Sequence, residues 1–180
     1  TLKHFAGYSA SRAARNHGPV SMGRRELLDV ILPPFEAAVA AGAGSVMNSY
    51  SDVDGVPAGA DSWLLTEVLR DGWGFGGTVV MHCFSSPGLL QTVLDRGYYV
   101  SFAGNVTYPK ASDLRAAAAQ ITDERILVET DSPYLAPQAR RGRPNEPANV
   151  ILTLEELAKA RNTDPADLGE RMRGRTCAGK

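Results

Sequence analysis

The sequence predicts an α/β domain built on a parallel sheet. Five short apolar segments alternate with longer segments in which apolar residues recur at helical spacing. The loops after the apolar segments are long and polar, whereas the loops before them are short. With 180 residues, of which 43% are hydrophobic and 22% charged, the chain can bury one core. We therefore predict a single α/β domain over 1–180, with helices on both faces of the sheet and a tail over 174–180.

Each predicted element follows from a local pattern. The helix predicted over 24–41 contains Pro33-Pro34, which we expect to break or kink it. A second helix, over 61–69, begins at Asp61 or Ser62, which are suitable capping residues. The remaining helices are predicted over 87–95, 112–120, 149–161 and 165–173, and the strands over 2–5, 45–50, 78–82, 97–102 and 125–130.

Composition narrows the classes of function. The net charge of −1 provides no general attraction to nucleic acid, so a contact with DNA needs a local cationic cluster. The two cysteines, Cys83 and Cys177, are too few to indicate a disulfide framework, which favours a cytoplasmic protein. No segment has the roughly 20 apolar residues of a membrane helix, and we expect no membrane partner.

Candidate site residues follow the predicted strands. In parallel α/β folds, ligands bind at the carboxyl ends of the strands. The residues at those ends are Lys3 and His4, Asn48 and Tyr50, His82, Ser101, and Asp131.

The long loop after the last predicted strand carries the polar groups with the clearest chemistry. Asp131 would end a buried strand, where an unpaired carboxylate is costly, and this favours a site role over simple capping of a turn. Arg140, Arg141 and Arg143 form a local cationic cluster that could hold a phosphodiester, although such arginines are equally often solvated.

Residues 1–80 carry a specific family resemblance. The blocks LKHFAGYSA, GPVSMGRRELLDVILPPFEAAV, GSVMNSYSDVDGVPA and WLLTEVLRDGWGFGGTVV resemble the catalytic barrel of family 3 glycoside hydrolases of the β-glucosidase type. The resemblance implies that Lys3 and His4 bind a sugar, that Tyr50 lies beside the nucleophile, and that Met47 forms an apolar wall.

The nucleophile of that family is replaced in this chain. Family members continue the GTVV strand into Ser-Asp-Trp or Ser-Asp-Tyr, whose Asp attacks the sugar, but here the strand continues into Met81-His82-Cys83. A retaining glycosidase uses two carboxyl groups across the bond that it cleaves. The resemblance therefore implies β-glucosidase-like sugar binding or hydrolysis without the family's nucleophile, with a β-glucoside as a less favoured ligand than a phosphodiester.

Residues 79–172 resemble a different family. HCFSS, ETDSPYLAP and the RG and NEPA motifs are similar to the C-terminal part of TatD-type metal-dependent deoxyribonucleases. The resemblance implies that His82 and Asp131 bind a divalent metal, Mg, Mn or Zn, that Asp131 also activates the hydrolytic water, and that DNA or another phosphodiester is the substrate.

The metal-binding set of the second family is incomplete. Its His-x-His, its bridging Glu and another His would precede the HCFS motif, where this chain has glycosidase-like sequence. A catalytic metal site normally uses at least three protein ligands. Further ligands would have to come from Lys3/His4, from Asp52/Asp54, or from a second chain.

Both families are eight-stranded barrels, so the two resemblances together imply a partial TIM-barrel-like sheet. It would contain about five βα units, with a glycosidase-like segment over 1–80 and a TatD-like segment over 81–173. A partial barrel leaves an open edge on each side, and we expect it either to stay open or to be completed by a partner chain, including a second copy. Three functions remain: a TatD-type hydrolase, a β-glucosidase-like hydrolase or sugar-binding protein, and a catalytically inactive chimera.

Overall fold

The structure is a computed structural model that describes residues 1–82 and 87–176, with the side chains of residues 82, 87–89, 92 and 174–176 left out of the description. The chain divides into two compact units, Thr1–Met81 and His82–Lys180. Five strands belong to one open sheet in the order β1-β2-β5-β6-β7, and this confirms the predicted α/β fold class. The described strands do not close into a barrel.

The first unit is organised around three parallel strands: β1 (Leu2–Phe5), β2 (Ser45–Asn48) and β5 (Thr78–His82). β2 pairs with β1 on one side and with β5 on the other, and Val46 lies opposite both Leu2 and Val79. Val46 and Val79 are buried, as expected for β-branched residues in the interior of a parallel sheet. A small antiparallel hairpin follows β2 and is formed by β3 (Asp52–Val53) and β4 (Val56–Pro57).

The helices of the first unit depart from the simple helical pattern. The predicted helix over 24–41 consists of α1 (Arg24–Glu26), a π-helical segment (Leu27–Ile31) and α2 (Pro33–Ala40). The helical run is interrupted at Leu32, directly before Pro33, which confirms the predicted break. The two prolines then open α2, because the first turn of a helix needs no N–H donors. The helix predicted over 61–69 is a π helix over Trp63–Gly72. Its apolar face buries Leu64, Leu65 and Leu69.

The second unit contains β6 (Tyr99–Phe102) and β7 (Ile126–Val128), which pair in parallel, with Val100 opposite Ile126. The pairing extends one residue beyond β7, since the amide of Glu129 donates to the carbonyl oxygen of Phe102 at 2.9 Å. The helices of this unit are α3 (Pro87–Asp95), α4 (Ser112–Gln120), α5 (Val150–Ala160) and α6 (Pro165–Thr176).

Arg161 and Arg171 link three helices of the second unit, α4, α5 and α6, to one another. Arg161, just after α5, donates to the carbonyl oxygens of Ala118 and Ile121 at the end of α4 and pairs with Asp123 at 2.5 Å. Arg171 of α6 also pairs with Asp123, at 2.8 Å. These bonds satisfy carbonyl groups that the end of α4 leaves without helical partners.

Several predicted boundaries were wrong. The strands predicted over 45–50 and 125–130 end at Asn48 and Val128, because the residues that follow turn away to form polar loops. The last helix continues to Thr176, past the predicted end at 173. None of the described helices is long and apolar enough to span a bilayer.

Candidate functional site

Asp131 lies in the loop that follows β7, and its side chain is exposed. Its backbone adopts a left-handed conformation with φ of 57°, which side chains other than glycine, Asn and Asp seldom adopt. Its carbonyl oxygen accepts from the amide of Tyr134 at 2.9 Å, which closes a tight turn. The expectation that Asp131 ends a buried strand was therefore wrong, since a polar turn carries its carboxylate into solvent.

Asn145 fixes the conformation of the Asp131 turn. Its buried side-chain amide donates to the carbonyl oxygens of Thr130 at 2.8 Å and Tyr134 at 2.7 Å, one on each side of Asp131. Its side-chain oxygen accepts from the amide of Glu146 at 3.0 Å and from Nδ2 of Asn149 at 2.9 Å. All four hydrogen-bonding positions of this amide are used. The NEPA motif therefore positions Asp131, a role that the sequence did not reveal.

The loop that carries the three arginines is attached to the segment after β6. Oγ1 of Thr107 accepts from the amide of Gln138 at 2.7 Å, and the hydroxyl of Tyr108 donates to the carbonyl oxygen of Ala136 at 3.1 Å. The guanidinium of Arg141 stacks on the Tyr108 ring, with Cζ 4.6 Å from the ring centre. Arg140, Arg141 and Arg143 are all exposed, so their charges face solvent on the same loop as Asp131.

The other two candidates of the second unit contribute less. The backbone of His82 ends β5, but its side chain lies outside the description, so its metal-binding role stays a prediction. Ser101 is buried within β6 at 2% exposure and is not part of a polar loop. Among the side chains that the structure describes, no cluster of three His, Cys, Asp or Glu residues could hold a metal ion.

The first unit brings two of its three predicted residues together in an aromatic cluster. The rings of His4 and Tyr50 lie 5.6 Å apart, and Tyr8 contacts both, at 4.7 and 6.5 Å. His17 stacks on Tyr50 at 5.4 Å with an angle of 28° between the ring planes. Lys3 is exposed and takes no part in these ring contacts. The prediction missed Tyr8 and His17, which lie on the loop after β1.

Beneath this aromatic cluster, the end of β2 is buried and polar. Asn48, Ser49 and Ser51 are 5%, 1% and 1% exposed. Asn48 donates to the carbonyl oxygen of Ser49 at 2.7 Å, which makes it a support for the loop that carries Tyr50. Met47 is half-buried on the same strand.

Asp52 and Asp54, considered as extra metal ligands, stabilise loop structure. One carboxylate oxygen of Asp52 accepts from the amide of Gly55 at 3.0 Å, and one of Asp54 accepts from the amide of Met22 at 3.1 Å. These are the local hydrogen bonds that Asp side chains commonly make in turns.

Comparison with known proteins identifies the families to which this chain belongs. The chain belongs to the TatD related DNase family, whose sequence model matches residues 62–177, and to the family of the glycosyl hydrolase family 3 N-terminal domain, whose model matches residues 1–93. Both resemblances identified from the motifs are confirmed, and the two matches share residues 62–93.

Individual relatives fall into the same two groups. An uncharacterized metal-dependent hydrolase TatD of Mycobacterium tuberculosis is 40% identical over 92 residues, which is 51% of this chain and 35% of that protein. A periplasmic β-glucosidase of Salmonella typhimurium is 38% identical over 97 residues, 54% of this chain and 12% of that protein. The chain therefore spans about a third of the former and about an eighth of the latter.

Solved structures support the fold. A TatD homolog from Escherichia coli K12 superposes with a TM-score of 0.63 at 19% identity, over 91% of this chain and 63% of that one. A family 3 β-glucosidase of Bifidobacterium adolescentis superposes with a TM-score of 0.50 at 24% identity, over 97% and 21% of the two chains. At these identities the likeness concerns the fold alone.

Proposed function

We propose that the chain is a hydrolase of the TatD type that acts on phosphodiesters such as DNA, with His82 and Asp131 as ligands of a divalent metal, Mg, Mn or Zn. The observation that carries the proposal is the Asp131 turn, in which Asn145 holds the backbone on both sides of an exposed carboxylate. Because the backbone around Asp131 is held in this way, binding of a cation has to order only the Asp131 side chain.

The three arginines complete the substrate side of the proposed site. Arg140, Arg141 and Arg143 lie on the loop of Asp131, and their exposed guanidinium groups suit the oxygens of a phosphodiester. Arg141 is held against Tyr108, so at least one of these cations has a restricted position. Phosphate binding by this loop would bring the scissile bond toward Asp131.

The described residues fit a metal ion only in part. A bound divalent ion would generate hydroxide and stabilise the charge that develops on the attacking and leaving oxygens. Asp131 offers one carboxylate, His82 would add one imidazole, and a catalytic site uses at least three protein ligands. We therefore propose weak metal binding by the single chain, and completion of the site by a second copy joined through the open sheet edges.

A thermal-shift titration with Mn²⁺, Mg²⁺ and Zn²⁺ tests the metal site. An ion that binds only the folded chain must raise the melting temperature, by an amount that grows with the logarithm of its concentration above its Kd. We expect a rise for the natural chain, and loss of that rise in Asp131→Ala and in His82→Ala. Glu155→Gln is the matched control, because Glu155 is an exposed carboxylate of the same unit, on α5.

Cleavage of a fluorescent oligonucleotide with the same ions then tests the activity. The proposal requires cleavage that depends on the ion and on Asp131, with a rate per chain that increases with protein concentration if a second copy completes the site. An unchanged melting temperature with all three ions would refute the metal site.

The aromatic cluster of the first unit supports a second candidate function, β-glucosidase-like sugar binding through Lys3, His4 and Tyr50. The observation that favours this function is the contact between His4 and Tyr50, whose rings lie 5.6 Å apart next in sequence to the exposed Lys3. Stabilisation by glucose that is lost in Tyr50→Ala would support it. Turnover of a chromogenic β-glucoside would show hydrolysis without the usual nucleophile, and no response to either compound would remove this candidate.

The origin and setting of the chain are also proposals. The two family matches support a chimera of two barrel halves joined near the β5 strand, and the cysteine content favours the cytoplasm. A catalytically inactive chimera is the third candidate. It predicts a folded chain without metal-, sugar- or DNA-dependent stabilisation, which the titrations above measure directly.

A further inference from the structure

The loop after β1 forms an open cavity of about 520 Å³ in the first unit. Seven residues line it: Arg12, Ala13, Arg15, Asn16, His17, Gly18 and Pro19. This volume lies in the range of small-molecule sites in proteins. Its wall includes two guanidinium groups and one imidazole, and no carboxylate lines it. The positive charge of the lining therefore favours the binding of an anion.

The positive charge of this cavity is not neutralised by the protein. Neither Arg12 nor Arg15 forms an ion pair within residues 1–82 and 87–176. The Arg12 guanidinium makes a long hydrogen bond, 3.5 Å from Nη2 to Oγ of Ser21. Two unpaired guanidinium groups on one concave surface repel each other, and an oxyanion between them removes that repulsion.

The loop holds its shape through strained and close-packed positions. Ala13 and Ala14 both have positive φ, 58° and 52°, a conformation that costs alanine energy. A Cβ on Gly18 would lie 2.7 Å from the carbonyl oxygen of Arg12, so the chain passes too closely there for any side chain. Strain of this kind is concentrated at functional sites in known proteins.

One end of the cavity carries a flat ring surface. His17 lines the cavity and stacks on Tyr50, while Asn16, also in the lining, accepts from the hydroxyl of Tyr8. A stacked ring pair supports the apolar face of a ligand, and Asn16 adds an amide for its polar groups. The volume greatly exceeds that of a single phosphate group, so the site has room for an attached small molecule.

We propose that the Arg12–Pro19 cavity binds a small phosphorylated molecule of the size of a sugar phosphate, with its phosphate between Arg12 and Arg15 and its remaining part against His17. This site belongs to the first unit and is independent of the metal-dependent activity proposed above. Inorganic phosphate would bind more weakly, because it fills only the charged end.

Isothermal titration of the chain with glucose 6-phosphate, inorganic phosphate and glucose, at ionic strength matched with KCl, tests this proposal. We expect glucose 6-phosphate to bind most tightly, phosphate more weakly and glucose least. Arg12→Gln and Arg15→Gln should each weaken glucose 6-phosphate binding by about tenfold or more, the loss expected for a charged hydrogen-bonding partner. Arg15→Lys should weaken binding by an intermediate amount, since Lys keeps the charge but lacks the paired N–H donors of the guanidinium.

The matched control is Arg25→Gln, an exposed arginine of the same unit whose charge lies outside the cavity. It should leave binding unchanged, and all variants should keep the melting temperature of the natural chain. Equal loss in Arg25→Gln would show non-specific attraction and overturn the proposal. Binding of phosphate alone, or of glucose as tightly as its phosphate, would also overturn it.

Discussion

The side-chain amide of Asn145 donates to the carbonyl oxygen of Thr130 at 2.8 Å, directly before Asp131 in the chain. The same NH₂ group donates to the carbonyl oxygen of Tyr134 at 2.7 Å, so one buried amide spans the whole turn. The position of the proposed catalytic carboxylate therefore depends on a residue 14 positions later in the chain, through bonds that bypass the exposed loop between them.

Asn145→Asp should destabilise the chain by about 2–4 kcal/mol. The change preserves volume but replaces two donors with acceptors, which leaves the Thr130 and Tyr134 carbonyl groups facing a carboxylate. Urea unfolding measures the free energy. Asn149→Ala is the control, because Asn149 makes a single bond to Asn145 and should cost only about 1 kcal/mol. Equal costs for the two variants would contradict the central role of Asn145.

The regular parts of the fold could be predicted because their patterns are local. The β5 and β1 strands have the predicted bounds, and α3 and α4 match the segments 87–95 and 112–120. In α4, buried Leu114, Ala117 and Ala118 follow the helical spacing that predicted it. The strand order could not be predicted, because the alternation of strands and helices does not determine which strands lie side by side.

The π-helical stretches and the details of the site could not be predicted. A π helix and an α helix present similar apolar faces over two or three turns, so Leu64, Leu65 and Leu69 suggest either. The bonds of Asn145 and the contact between His17 and Tyr50 join residues far apart in sequence, and their geometry depends on loop backbones without a periodic pattern. Tyr50 and Asp131 were predicted because they closely follow strands, whereas Asn145 lies much further along the loop after β7.

Ala13→Gly should stabilise the chain by about 0.5–1 kcal/mol. Ala13 lies at φ 58° and ψ 27°, where an alanine pays about 1–2 kcal/mol and glycine pays nothing, while the greater freedom of unfolded glycine offsets part of the gain. The control is Ala116→Gly, at an exposed position of the α4 helix, which should instead destabilise by about 1 kcal/mol. Destabilisation by both variants would show that the loop does not strain Ala13.

Gly104→Ala should destabilise the chain by about 3 kcal/mol or more. Gly104 follows β6, and a Cβ there would lie 2.2 Å from the carbonyl oxygen of Leu135 and 2.8 Å from the nitrogen of Pro137. Both atoms are backbone, so the loop that carries Asp131 would have to move away as a whole.

The loss of stability in Gly104→Ala should therefore appear in two measurements. Urea unfolding should report the lower stability, and hydrogen exchange should report faster exchange at the amide of Gln138, which donates to Thr107 next to the clash. Gly76→Ala is the control, because a Cβ at Gly76 meets no atom within 4 Å, and its effect should stay within about 0.5 kcal/mol. Gly104 packs closely against the loop whose conformation Asn145 stabilises. Gly104→Ala should therefore also weaken metal binding at Asp131, whereas Gly76→Ala should leave metal binding unchanged.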